Sequence, residues 1–250
     1  MKLKYEELNC RVLTCHQIIN PYKVYTFTFQ YICPMNIEEN ITTLLQDIPD
    51  YVQLVAVSKT KSNEEIMQAY HAGQRIFGEN KIQDMTRKHE ELPKDIQWHM
   101  IGHVQSNKVK YMASYVSLIH GVDNLKVLKE INKQAQKNNR IIDCLLQIQI
   151  AEEESKFGFS VKECHHAIER AKELPYVQIK GLMGMATFTE KQNQIAKEFQ
   201  GLKDLYDQLI KQNIPLEILS MGMSGDYTIA FQKGSNMIRV GSKIFGPRNY

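Results

Sequence analysis

The stretch Val52-Gln53-Leu54-Val55-Ala56-Val57-Ser58-Lys59-Thr60-Lys61-Ser62-Asn63-Glu64-Glu65 changes from one periodicity to another within a few residues. Val52 to Ser58 is short, apolar and rich in valine, the composition of a buried strand. Ser62-x-x-Glu65 then opens a helix: the serine hydroxyl can accept the amide three residues on, while the Glu65 carboxylate reaches back to the cap. A strand that gives way directly to a helix pairs in parallel with its neighbour, because the return crossing is helical. Working outward, the alternation recurs at Arg75 to Gly78, Gln97 to Ile101, Val116 to Gly121, Ile141 to Ile150, Gln178 to Met183, Leu216 to Met221 and Met237 to Val240, making eight candidate strands. Helices are expected between them, with further capping boxes at Ser160-x-x-Glu163 and Thr187-x-x-Glu190. Gly73, Asn138-Asn139 and Asn213-Ile214-Pro215 supply stops. This succession suits an α/β fold with a single closed (β/α)8 TIM-type barrel. An open doubly wound sheet would carry G-x-G-x-x-G after its first strand, where this chain has Ser58-Lys59-Thr60-Lys61.

Lys59 then falls at the C-terminal end of the first strand, the rim on which barrels build their sites. An inward Lys59 puts Val57 and Val55 inward too, and turns Val52 and Leu54 toward the helices. Two readings are open: a lysine that has left the barrel into water, or one partly desolvated beside Lys61, whose neutral amine can form an imine. Ser220-Met221-Gly222-Met223-Ser224-Gly225-Asp226 follows the seventh strand and Arg239-Val240-Gly241-Ser242 ends the eighth. Barrels commonly hold phosphate with the loops after these two strands. Gly222 and Gly241 let backbone approach closely, and Ser220, Ser224 and Ser242 offer hydroxyls. A helix cap and plain turns would explain either loop alone; both together favour a phosphate. An inward Arg239 needs an acceptor, and a pyridine nitrogen or an acidic side chain would serve. Asn80, after Phe77-Gly78-Glu79, shares the same rim. His99 and His103 are four apart on a strand and turn rather than on one helical face, so no metal site is expected.

The chain has 250 residues and 43% hydrophobic content, enough for a substantial core. Its 31 Lys and Arg against 28 Asp and Glu are spread along the length, which argues against a nucleic-acid arm and leaves room for a small anionic ligand. Five cysteines without a C-x-x-C pair suggest a reducing, cytoplasmic setting, and no stretch has the length and apolarity of a membrane span. Residues 1–34 differ from the rest: they hold three of the five cysteines, and a Thr-interrupted aromatic run that fits no targeting class. Met35 precedes a plausible first helix, Asn36 to Asp50. Translation starting at Met35, with 1–34 an upstream extension and 35–250 the barrel, is the expected organisation.

Ala56-Val57-Ser58-Lys59-Thr60, Phe77-Gly78-Glu79-Asn80, Trp98-His99-Met100-Ile101-Gly102, Gln105-Ser106-Asn107-Lys108, Ser220-Met221-Gly222-Met223-Ser224-x-Asp226 and Arg239-Val240-Gly241-Ser242-x-Ile244-Phe245-Gly246 together resemble the YggS/PROSC group of pyridoxal 5'-phosphate (PLP) homeostasis proteins. The resemblance runs from about Met35 to the C-terminus. It implies a barrel like the N-terminal domain of alanine racemase, with PLP held as a Schiff base on Lys59. It further implies phosphate contacts from Ser220, Ser224, Gly241 and Ser242, a pyridine-nitrogen contact from Arg239, and Asn80 near the ring. Lys156 lies where such proteins carry a second lysine near PLP, and His103 departs from the pattern. The implied role is intracellular PLP homeostasis by a monomer without established turnover, with PLP-dependent apo-enzymes as recipients of the cofactor. A small PLP-dependent amino-acid racemase using the same Lys59 is the alternative. Against it stand the lack of room for the second, β-rich domain that racemases add, and an arginine at the pyridine nitrogen, which weakens the cofactor as an electron sink.

Overall fold

A computed structural model describes residues 36–152 and 157–247. The expected extension at 1–34 and Lys156 lie outside the described residues. Eight parallel strands close into a barrel in sequence order: β1 Gln53–Val57, β2 Ile76–Glu79, β3 Gln97–Met100, β4 Leu118–Val122, β5 Ile142–Ile148, β6 Val177–Gly184, β7 Ile218–Ser220 and β8 Met237–Val240. The outer layer is α1 Ile37–Asp47, α2 Asn63–His71, α3 Ile82–Glu91, α4 Leu125–Lys137, α5 Val161–Ala171, α6 Gln192–Lys211, α7 Tyr227–Gln232 and α8 Ser242–Phe245. All eight strands fall where the apolar segments put them.

Both capping boxes at Ser62 and Ser160 form as expected. Gly73, Asn139 and Asn213 end their helices with positive φ, at 95°, 51° and 61°. Two expectations fail. No helix begins at Thr187: its amide and hydroxyl both donate to the Glu198 carboxylate, and α6 starts later, at Gln192. A partner across the loop has outcompeted the local box. Between β3 and β4 the crossover is only a 3-10 turn, Ser106–Tyr111.

β1 pairs with β8 and closes the ring, with Val55 opposite Arg239. Val55 belongs to a small inner cluster with Leu118, Leu145, Met183 and Met237, whereas Val52, Leu54 and Ala56 join the larger core between strands and helices. The strand alternation read from the sequence is therefore correct, and it sends Val57 and Lys59 toward the C-terminal mouth. Gly78 keeps the inside from overfilling, since a Cβ there would lie 3.0 Å from Val55 Cγ1 and Ile101 Cδ1. No helix among the described residues is long and apolar enough to cross a membrane.

Candidate functional site

A cavity of about 580 Å³ opens at the C-terminal mouth of the barrel. Lys59, Asn80, Ser224, Arg239, Gly241 and Ser242 all line it, so six of the seven residues singled out in the sequence converge on one space. Its apolar wall includes Val57, Ile101 and Met185, and the loop after β6 contributes Thr187 and the exposed Phe188. The volume lies within the range of small-molecule sites.

Lys59 is half-buried and follows β1 without a break. The chain turns sharply behind it: Thr60 has φ 65°, the left-handed region that a β-branched residue avoids, and the Lys61 amide donates to Ser58 O at 3.1 Å. Lys61 itself is occupied, its Nζ donating to Phe245 O at 2.7 Å and to Glu65 Oε1 at 3.0 Å. Beneath the Lys59 turn sits a fully buried ion pair that the sequence reading missed. Lys88 Nζ donates to Glu79 Oε1 at 2.7 Å and to Ser58 O at 2.8 Å, and Ser58 Oγ donates to the same Glu79 oxygen at 2.6 Å. The pair ties together the residues immediately before Lys59 and Asn80. One signal was present: Lys88 falls on the face of α3 set by Ile82 and Met85, where the helical period calls for an apolar side chain.

On the opposite wall the loops after β7 and β8 are joined, the Gly241 amide donating to Ser224 Oγ at 3.2 Å. Ser224 is thus a tie between loops rather than the cap of α7, whose N-cap is Asp226. Gly222, at φ 92°, allows this loop to press on α7, where a Cβ would stand 2.6 Å from Ala230 Cβ. The amides of Ser224, Gly225, Ser242 and Lys243 donate to no acceptor among the described residues, which leaves several N–H groups at this wall.

Ser220 is the seventh expected residue, and it does not line the cavity. It is fully buried, and its Oγ accepts from Arg239 Nη1 at 2.6 Å. It points into the barrel because β7 ends there, one alternation before the loop begins. Arg239, 4% exposed, also donates to Ser220 O at 3.0 Å and to Gly184 O at 3.1 Å. Burial lowers its pKa to about 10, and the nearby Asp226 carboxylate opposes that shift. His103 faces elsewhere, with Nδ1 2.6 Å from Asp123 Oδ2 and its ring stacked on Phe157.

The chain matches the family model described as "Alanine racemase, N-terminal domain" over residues 32–249. It is 38% identical over 200 residues to a pyridoxal phosphate homeostasis protein of Aquifex aeolicus, covering 79% of this chain and 88% of that protein. It is 39% identical over 201 residues to a pyridoxal phosphate homeostasis protein of Schizosaccharomyces pombe, covering 79% and 84%. Among solved structures it resembles PipY of Synechococcus elongatus with PLP bound, at TM-score 0.78 and 33% identity over 84% of this chain and all of that one. Alanine racemase of Clostridium difficile, at 14% identity and TM-score 0.72, shares the barrel fold. By sequence, and on the barrel described above, this chain belongs to the pyridoxal phosphate homeostasis protein family.

Proposed function

We propose that this chain binds PLP at the barrel mouth, holds it as a Schiff base on Lys59, and serves intracellular PLP homeostasis. The observation that carries the reading is the convergence on one cavity of a lysine, a buried arginine and two amide-rich loops. A phosphorylated aldehyde bearing a pyridine ring matches those three elements in turn. The Lys59 amine would condense with the aldehyde, forming a C=N bond and releasing the carbonyl oxygen as water, so the attachment is reversible. Ser224, Gly225, Gly241 and Ser242 would surround the phosphate. Ser220, from its buried position, would act on Arg239 rather than on the phosphate. Arg239 carries only donors and would hold the pyridine nitrogen unprotonated, which suits storage and transfer better than carbanion chemistry. Cytoplasmic PLP-dependent apo-enzymes are the proposed recipients, from the resemblance.

The test is an absorption spectrum of the purified full chain with PLP, before and after borohydride, followed by peptide mapping. An imine band that reduction fixes on Lys59 and that Lys59→Ala abolishes is expected. A protein that takes up no PLP, or whose reduced adduct maps elsewhere, refutes the assignment.

A further inference from the structure

Four inward side chains from four strands form a continuous hydrogen-bonded line through the barrel interior, and none but Arg239 touches the cavity. Arg239 Nη1 lies 2.6 Å from Ser220 Oγ, Ser220 Oγ lies 3.2 Å from His120 Nδ1, and His120 Nε2 lies 3.1 Å from His99 Nδ1. His99 is 4% exposed, and His120 and Ser220 are fully buried.

The direction of the protons along this line follows from one fixed end. A guanidinium has N–H donors and no acceptor, so Ser220 Oγ must accept from Arg239. The serine's own proton then needs an acceptor, and the other partner of that oxygen is His120 Nδ1. His120 must therefore carry its proton on Nε2, which donates to His99 Nδ1, leaving the His99 proton on its own Nε2. Burial lowers the pKa of His99 to about 3 and that of His120 well below its usual value, with Arg239 adding repulsion at His120, so both rings are neutral. Every donor in the line points away from the arginine, and every negative end points toward it.

We infer that His120, backed by His99, is a positioning residue for Arg239: locked in one tautomer, it accepts the Ser220 proton and so holds the serine oxygen, which accepts from the guanidinium, in place at the barrel mouth. This rests on the PLP reading for its consequence in binding, but not for its proton order, which belongs to the free chain.

The experiment has two arms on the full chain. In the first, nitrogen NMR of the PLP-free protein labelled with 15N-histidine reads the tautomers directly. Protonated Nε2 on both rings, unchanged between about pH 5.5 and 8, is expected from a buried neutral pair. A proton on His120 Nδ1, or titration of either ring in that range, overturns the inference. In the second, PLP affinity is compared for wild type, His120→Leu and His120→Asn. Leucine removes the acceptor and should weaken binding about tenfold, the scale of one hydrogen bond to a charged group's partner. Asparagine can return an acceptor oxygen to the Nδ1 position and should recover much of that loss, with the absorption band of the bound cofactor returning toward wild type. Wild-type affinity and spectrum in His120→Leu refute the positioning role. No PLP uptake by wild type would bring down the cofactor assignment and that role together, while the tautomer result would stand by itself.

Discussion

Lys88→Met breaks the buried pair beneath the Lys59 turn, and its cost follows from the contacts. The substitution keeps the length and apolar stem of the side chain but deletes two hydrogen bonds from a charged donor, to Glu79 Oε1 and to Ser58 O. Each such bond contributes about 1.5–3 kcal/mol. The side chains of Lys88 and Glu79 are 2% and 1% exposed, so water cannot replace the lost partner. Glu79 Oε2 already has no hydrogen-bond partner among the described residues, so the orphaned carboxylate has little reserve. Removing one member of a buried pair costs about 3–5 kcal/mol, whereas replacing both by apolar groups is often neutral. Lys88→Met should therefore lower the unfolding midpoint by roughly 10 °C, and the double variant Glu79→Leu/Lys88→Met should recover most of that. Urea unfolding of the single variants, the double variant and wild type closes the cycle, with a coupling of about 3 kcal/mol expected. A Lys88→Met protein within about 1 kcal/mol of wild type, or a double variant no better than the worse single one, would refute this account of the pair.

The buried histidines make the fold acid-sensitive. His99 and His120 stay neutral in the folded chain, whereas unfolded histidine takes a proton near pH 6.5, so the unfolded state binds more protons and stability falls as pH drops below that value. Urea unfolding at pH 7 and pH 5 should differ by about 2 kcal/mol per histidine, and a pH-independent midpoint would contradict their burial. Gly222→Ala places a side chain at φ 92° against Ala230 and Tyr227; a loss of roughly 1–3 kcal/mol and weaker PLP binding are expected, and an unchanged protein would show that the loop can be rebuilt. Cys144 and Cys164 are buried with thiol pKa values pushed up, that of Cys164 to about 12. Peptide mapping after brief alkylation at pH 8 should find both unmodified in the folded protein and modified in urea, and native-state labelling would argue against the packing around β5 and α5.

The sequence made the strands and the rim readable for the same reason. Apolar runs such as Val52 to Ser58 alternate with helical period, and barrel sites gather where those runs end, so the place of Lys59, Asn80, Arg239, Gly241 and Ser242 on one rim follows from the sequence pattern. What stayed hidden was whatever depends on contacts between distant strands. Ser220 falls inside the strand expected from Leu216 to Met221, yet it is grouped with the phosphate loop because the Ser220 to Asp226 motif runs across the end of β7. His99 is weighed only with His103 as a metal ligand, since nothing local says that β3 and β4 aim His99 and His120 at the same interior line. Thr187 had every local mark of a cap, and only the folded chain brings Glu198 close enough to compete for it.

The seam between the first and last strands has a consequence for the life of the chain. Lys59 and the loop at Gly241 and Ser242 become neighbours only when β1 pairs with β8, and Gly241 packs against Val57 at that seam, its missing Cβ sparing a 3.2 Å approach to Val57 O. A nascent chain still on the ribosome has Lys59 from early on, yet it lacks the other half of the pocket until β8 has emerged. Free aldehyde cofactor therefore meets no competent pocket on an unfinished molecule. A finished one gains ligand binding and barrel closure as one linked equilibrium, so that cofactor supply itself protects the seam from opening.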